Sequence, residues 1–403
     1  VLPTARAWVL TVTCLLWLQF GLRLQAVWAV VVAGGGLLLV GSSLVAGFFC
    51  LKGIRVTRPP CGDGTAGEEL DLPLAVVNCG QRTRPAFLVL EESEALVPPS
   101  VATLVPALSP GGQPWLIQRR VLPLRRGVFE LADVRLRSTD AVGLFRWERR
   151  VRAPGRFYVL PRSDPLPASA LHTPRLLPTP TANPFSSTGA GMEVYGVREY
   201  VPSDGAQSVH WKSSARVGRL MVREFEREAR SEVAVAVDAL EPRVSGPQPW
   251  SNLEFTVRLA AGICRHVARS EGRLSFLLGG AGRVVVPLQD ARCCEDSVLR
   301  HLAALQPGSV TLEQTIGPWA RTLPPGTTVV CLSLDTGGAL RRQLAECLRR
   351  GLRVVWFNAG RAAFASQARV LGAVPSGAVG NGALTAVELT PESVVAEVFE
   401  HVG

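Results

Sequence analysis

The pattern of apolar and polar positions divides the chain into stretches of different period. The first stretch is continuous. Residues 7–22 form an apolar run about 24 Å long as a helix, and residues 26–51 form a second of about 39 Å. A bilayer core is about 30 Å thick. The second run spans it with room to tilt. The first reaches across by borrowing residues 1–4 and letting Arg23 snorkel. Only residues 23–25 separate the two, so residues 1–52 read as a transmembrane helix hairpin. A cleaved signal peptide is the rival reading of the first run. Against it, no small-residue cleavage site precedes Arg23, and a full second span follows at once.

Residues 53–162 change to short, β-branched or alternating segments punctuated by Gly and Pro. The pattern predicts strands over 70–77, 86–91, 115–122, 128–137 and 155–160. Val128, Leu131, Val134 and Leu136 break strict alternation, which predicts a bulge in the fourth. Strands at this spacing imply a small β-sandwich-like domain. Residues 163–190 are rich in Pro, Ser and Thr and read as a linker. Residues 191–230 lack either period. From 231 to 403 strands and helices alternate. Strands are expected at 233–237, 274–278, 284–286, 328–334 and 354–357, and helices at 253–269, 297–305 and 339–349. In the first helix Phe255, Leu259, Ile263 and Val267 share one face. That order predicts an α/β doubly wound domain.

Composition narrows the class. The 403 residues are 47% hydrophobic and 19% charged with positive mean hydropathy, which excludes a disordered chain, a collagen or a small disulfide scaffold. The formal net charge is +10, and all but Lys52 and Lys212 of the 43 basic residues are arginine. Residues 117–162 hold twelve arginines against four acids. Three readings of that stretch stay open: a solvated sheet face, attraction to an anionic membrane surface, and nucleic acid. No recognised nucleic-acid motif accompanies the charge, so nucleic acid is not expected as a partner. Arg6, Lys52, Arg55 and Arg58 flank the hairpin outside, against Arg23 alone in its turn. The positive-inside rule then predicts a multi-pass plasma (inner) membrane protein with both ends and the bulk of the chain cytoplasmic. Nine scattered cysteines without a C-x-x-C pair fit a reduced compartment. Cys293, Cys294 and His301 match no zinc spacing, and the two thiols are expected to be buried.

The densest polar chemistry lies in residues 191–230, where Arg198, Glu199, Tyr200, Asp204, His210, Trp211, Lys212, Ala215 and Arg216 crowd together. Charged, aromatic and turn residues interleaved this way predict a packed polar network. Asp204 is placed to cap a turn or pair with an arginine, Trp211 to anchor the segment against a domain surface, and residues 219–225 to form a strand with Arg219 and Arg223 exposed.

Several steps in this stretch are specific: Arg198-Glu199-Tyr200, Pro202-Ser203-Asp204, Val209-His210-Trp211-Lys212, Ser214-Ala215-Arg216 and Leu220-Met221-Val222-Arg223-Glu224-Phe225. Upstream stand Arg125-Arg126-Gly127-Val128-Phe129 and Ser138-Thr139-Asp140-Ala141-Val142-Gly143-Leu144-Phe145. In these motifs the chain resembles the bacterial membrane proteins carrying "domain of unknown function 58". It departs from them at Ser203, where a turn glycine is usual, at Gln207, usually basic, and at Asp140-Ala141, usually Asp-Pro. The resemblance implies a von Willebrand factor A-like C-terminal domain. It also implies a MoxR-type AAA+ ATPase as partner, often with a membrane transglutaminase-like protein, in assembly or maturation of complexes.

A von Willebrand factor A metal site needs Asp-x-Ser-x-Ser after the first strand, so that hard oxygen ligands turn toward one cation. This chain has Asp238-Ala239-Leu240-Glu241-Pro242. The aspartate is present without either serine, and Asp335 after a later strand is a second acid at the same edge. Asp238 and Asp335 are thus a degenerate candidate, and neither metal nor another cofactor is expected. No H-E-x-x-H, G-x-S-x-G or G-x-x-x-x-G-K motif occurs, and no catalytic residue is assigned. The reading is a membrane-anchored, cytosol-facing interaction or scaffold protein. The alternative is an enzyme using Asp204, His210 and Asp238, which requires those three to line one pocket.

Overall fold

The computed structural model describes the chain apart from residues 93–95, 132, 141, 168–170, 172–193, 202–208, 226–230, 366–385, 392 and 394–403. The described residues fall into two compact units. One comprises Val1–Ser163, Ser245–Ala261 and Asp296–Pro307, the other Asp164–Val244, Gly262–Glu295 and Gly308–Gly403.

The first unit begins with a short strand β1 (Leu2–Pro3) and two helices, α1 (Ala5–Leu24) and α2 (Val27–Cys50). Gln25 turns the chain between them in the left-handed region at φ 49°. Small residues set how closely the helices approach. Gly21 of α1 approaches Ala29 and Val30 of α2, and the Cys14 thiol fills the space a side chain at Gly36 would take. The other faces carry exposed Trp8, Val12, Leu16, Val31, Leu38 and Val45. Both helices are long and apolar enough to cross a membrane, and unlike core helices they are mostly uncovered.

The rest of this unit is sheet-rich. Its strands are β2 (Ile54–Thr57), β3 (Gly64–Thr65), β4 (Leu70–Asn78), β5 (Phe87–Glu92), β6 (Leu96–Val97), β7 (Ser100–Val105), β8 (Trp115–Pro123), β9 (Gly127–Leu131), β10 (Val134–Thr139), β11 (Phe145–Val151) and β12 (Gly155–Leu160). They form sheets ordered β1-β11-β10-β5-β7, β2-β4-β8-β6 and β3-β12-β9. Alternation along β4 serves two cores. Leu74 and Val76 pack with Phe87, Val89, Val134 and Leu136 of the five-stranded sheet. Leu70 and Leu72 pack with Leu131, Phe157 and Val159. The strand expected over 128–137 is therefore not one bulged strand. It is β9 and β10 in different sheets, and the irregular step from Leu131 to Val134 is where the chain passes from one core to the other.

In the second unit β13 (Val194–Glu199) and β14 (Met221–Phe225) form an antiparallel pair with helix α3 (Trp211–Val217) between them. Along the chain there follow β15 (Glu232–Val237), α4 (Asn252–Arg269), β16 (Arg273–Leu278), β17 (Val284–Asp290), α5 (Ala291–Ala304), α6 (Leu312–Ala320), β18 (Thr328–Ser333), α7 (Gly338–Arg349), β19 (Arg353–Asn358), α8 (Arg361–Ala365) and β20 (Val387–Glu388); residues 252–261 of α4 and 296–304 of α5 belong to the first unit. The sheet runs β17-β16-β15-β18-β19-β20, parallel except for β17, which is antiparallel to β16. Helices α6 and α7 cover one face, seating Ile316, Trp319, Leu340 and Leu344 on Ala234, Ala236, Val329 and Cys331. Both buried indoles find partners: Trp319 Nε1 donates to Ser275 Oγ at 3.1 Å and Trp356 Nε1 to Ser333 Oγ at 2.8 Å.

Candidate functional site

The carboxyl edge of the six-stranded sheet brings buried and half-buried charges together. Connections from β15 lead to β16 on one side and eventually to β18 on the other, and the space beyond such a reversal is where open α/β sheets place their ligands. Asp238 stands at the end of β15 and is 0% exposed. Its Oδ1 accepts from the Leu240 amide at 3.2 Å and its Oδ2 from the Leu334 amide at 3.4 Å. Its third partner is Arg243, held by the short turn Glu241–Arg243. Arg243 Nη1 donates to Asp238 Oδ2 at 3.0 Å, Nη2 donates to Glu313 Oε1 at 2.7 Å in the first turn of α6, and Nη2 lies 3.5 Å from Asp335 Oδ2. One guanidinium thus sits among three carboxylates. Burial alone would lower the Arg243 pKa, but its bonds to Glu313 and Asp238 raise it, so the side chain stays charged. Burial pushes the Asp238 carboxyl above its ordinary value, against the pull of Arg243 and the two amides.

Asp238 and Asp335 therefore do lie at one edge, and what joins them is an arginine of the same chain. The serines of a metal motif are replaced by Leu240 and Pro242, neither of which carries a side-chain oxygen, and the carboxylates are spent on the guanidinium. Sequence reasoning missed Arg243 and Glu313. The available signal was an arginine five residues after a strand-ending acid.

The motif segment is built around Ser214 rather than its aromatics. Ser214 is buried; its Oγ accepts from the Met221 amide at 2.8 Å and donates to the His210 carbonyl at 3.1 Å, fastening α3 to β14. Gly218, at φ 73°, closes the helix in the left-handed region. The Tyr200 amide donates to the Leu220 carbonyl at 2.9 Å, and Arg198 stands opposite Val222 in the ladder. His210 Nδ1 lies 2.7 Å from Ser213 Oγ. Glu199 pairs loosely with Arg219 at 3.5 Å, both exposed. Lys212, Ala215 and Arg216 are exposed. Asp204 lies outside the described residues, so the trio with His210 and Asp238 is not assembled among them.

The expectation that Trp211 anchors the segment is overturned: its side chain is 69% exposed. A seven-residue helix that turns Ser214 onto β14 has no other layer over its indole among the described residues. Val201, Val217 and Leu220 are exposed as well. The expectation for the paired thiols needs correcting too. Cys294 is buried, and burial raises its pKa, but Cys293 is exposed. His301 Nδ1 lies 2.6 Å from the Ser297 carbonyl of its own helix.

The Arg-Arg-Gly step acquires a role in the first unit. Arg126 Nε donates to Glu254 Oε2 at 3.0 Å, while Nη1 and Nη2 donate to the carbonyls of Leu302 and Leu305 at 3.0–3.2 Å. It caps the last carbonyls of a helix with a charge that opposes the helix dipole. Burial lowers its pKa, with Glu254 acting in the other direction. A pocket of about 160 Å³ in this unit, lined by Arg58, Cys61, Leu72, Gly155 and Phe157, falls short of the roughly 300–1,000 Å³ of small-molecule sites.

Comparison with known proteins adds a family match over part of the chain. The model described as "Protein of unknown function DUF58" matches residues 196–333, from within β13 through β18. No curated protein matches the chain. Among solved structures, a β-glucosidase from Kluyveromyces marxianus is 12% identical over 27% of this chain and 15% of its own, with a TM-score of 0.13. A GH20 exo-β-N-acetylglucosaminidase from Vibrio harveyi is 11% identical over 73% of this chain and 59% of its own, with a TM-score of 0.18. The chain thus spans less than two thirds of either protein, and overlaps this slight carry no argument about fold or activity.

Proposed function

We propose that this chain is a membrane-anchored, cytosol-facing scaffold that offers its motif segment to a protein partner, with a MoxR-type AAA+ ATPase as the partner class. The observation that carries the reading is the exposed Trp211. Together with Val217, Leu220, Lys212 and Arg216 it places an aromatic, apolar and basic surface within the segment covered by the family match. Exposed tryptophan and arginine are the residues most enriched among binding hot spots. The two apolar helices support the anchor, and the positive-inside rule supports the cytoplasmic side. In this reading the six-stranded sheet is a von Willebrand factor A-like domain whose cation position is filled by Arg243.

Trp211→Ala in the full chain should melt like the parent, as an exposed substitution does, and should no longer retain the organism's MoxR-type ATPase when both are co-purified from detergent. Undiminished retention with an unchanged melting temperature would refute the docking role. A marked fall in melting temperature would return Trp211 to a structural role.

A further inference from the structure

The turn between β10 and β11 is joined to both apolar helices. Asp140 is buried, and its carboxylate accepts from Ser43 Oγ of α2. It also accepts from the amides of Val142 and Leu144 at 3.2 Å and of Phe145 at 2.6 Å. Gly143 N donates to the Asp140 carbonyl at 3.0 Å, and the carbonyls of Gly143 and Leu144 accept from Thr4 Oγ1 at 3.0 and 2.8 Å. These bonds engage the amides of Val142, Gly143, Leu144 and Phe145 and the carbonyls of Asp140, Gly143 and Leu144 within the protein. Leu144 and Phe145 pack with Ala7, Leu10 and Val40 in the opening between the helices. The Trp147 indole occupies the place a side chain at Gly47 would need.

Helix length sets the depth of this turn. Counting about 30 Å from the Gln25 turn takes about twenty residues of either helix and ends near Ala5 and Ala46. Ser43 then lies about 5 Å inside the hydrocarbon boundary and Val40 about 9 Å inside. Irregular backbone at such depth survives only where its polar groups are satisfied within protein, and the four amides of residues 142–145 and the carbonyls of Asp140, Gly143 and Leu144 are so satisfied. Its tip exposes Val142, an apolar residue. Exposed Arg6 and Arg146 stand beside it, with Arg6 Nη1 3.9 Å from the position of a Gly143 Cβ, suited to lipid phosphates.

We infer that residues 142–145, held by Asp140, form a membrane-inserted wedge, seated between the two helices, whose partner is the acyl-chain edge of the bilayer beneath the phosphates. This rests on the reading that α1 and α2 span a membrane. The sheet-rich domain would then be fixed in height and orientation on the membrane rather than tethered by a flexible link.

The test is photocrosslinking with p-benzoylphenylalanine in the full chain, reconstituted into phosphatidylcholine–phosphatidylglycerol vesicles. Probes stand at Val142, at Val31 on the exposed face of α2, and at Glu130 on β9. Lipid adducts are expected at Val142 with a yield comparable to Val31, and none at Glu130. Adduct at Val31 with none at Val142 overturns the wedge and leaves the spans intact. No adduct at Val31 overturns the spanning reading itself. Asp140→Ala should abolish the Val142 adduct and keep that at Val31. A Val142 adduct that survives Asp140→Ala removes Asp140 as the seat of the wedge.

Discussion

Replacing Arg243 with alanine should loosen the second unit by about 3–5 kcal/mol, because it removes one partner of a buried ion pair and leaves the other behind. Asp238 is fully buried, and without Arg243 it keeps two amide donors, the longer at 3.4 Å. Against a total stability of about 5–15 kcal/mol this is a large fraction. The measurement is amide exchange along β15 and β18 in the full chain, since a chain of several parts need not melt in one step. The deficit should depend on pH, and its sign follows from Asp238. Burial already raises that carboxyl's pKa with Arg243 present, so ionisation of Asp238 works against the fold. This penalty is absent below the ordinary carboxylate range and grows as pH rises through the raised value. Losing Arg243 raises the value further. The variant should therefore fall furthest behind the parent at neutral pH and regain ground toward pH 4. Asp238→Asn in the Arg243→Ala background should recover much of the loss. Unchanged exchange in Arg243→Ala at neutral pH would show that the guanidinium does not hold this edge.

That arginine also marks the limit of what the sequence discloses. A span is a property of local composition, and the second run, read as 26–51, matches α2 at Val27–Cys50. Strands with inward alternation were equally legible, such as 70–77 against Leu70–Asn78. Strands lacking that signal were not. β11 reads Phe-Arg-Trp-Glu-Arg-Arg-Val; Phe145, Trp147 and Val151 share its inward side, but Arg149 interrupts them and most of the side chains stay in solvent, so the alternation is hidden by arginines. Helix α6 was hidden by Gly317-Pro318 near its end, residues that ordinarily punctuate a helix. Of the carboxylate cluster, Asp238 and Asp335 were legible at one edge and Glu313 was not, because the three acids come from three segments and meet through Arg243, a residue no motif names. Trp211 shows the opposite failure. An aromatic residue in a dense motif reads as an anchor, but burial depends on what lies over it, and that is a tertiary fact.

A second case of charge against pattern lies within the sheets of the first unit. Glu91 follows Phe87 and Val89 on the inward side of β5, and Arg119 stands between Ile117 and Val121 on the inward side of β8. Arg58, just past β2, completes a buried cluster. Its Nη2 meets Glu91 Oε1, and Arg119 Nη1 lies 2.7 Å from Glu91 Oε2. Leu72, which pairs with Arg119, belongs to one core, and Leu74, which pairs with Ile117, to the other, so the cluster sits at their junction. Two guanidinium groups share one carboxylate. Arg58 Nε spends itself on the Ala153 carbonyl at 2.7 Å, while Arg58 Nη1 and Arg119 Nε find no hydrogen-bond acceptor among the described residues. Glu91→Ala should therefore destabilise the sheets by about 3–5 kcal/mol, since it strands two buried charges that repel each other. Replacing all three with apolar residues of similar reach, Arg58→Met, Glu91→Leu and Arg119→Met, should recover that loss and match or exceed the parent, because no ion is then left to desolvate. The two outcomes are non-additive by construction, as expected of groups in direct contact. Amide exchange along β4 and β8 in the full chain would read both. A triple variant as unstable as Glu91→Ala would mean that the cores need these charges for their shape. A harmless Glu91→Ala would mean that water reaches the arginines.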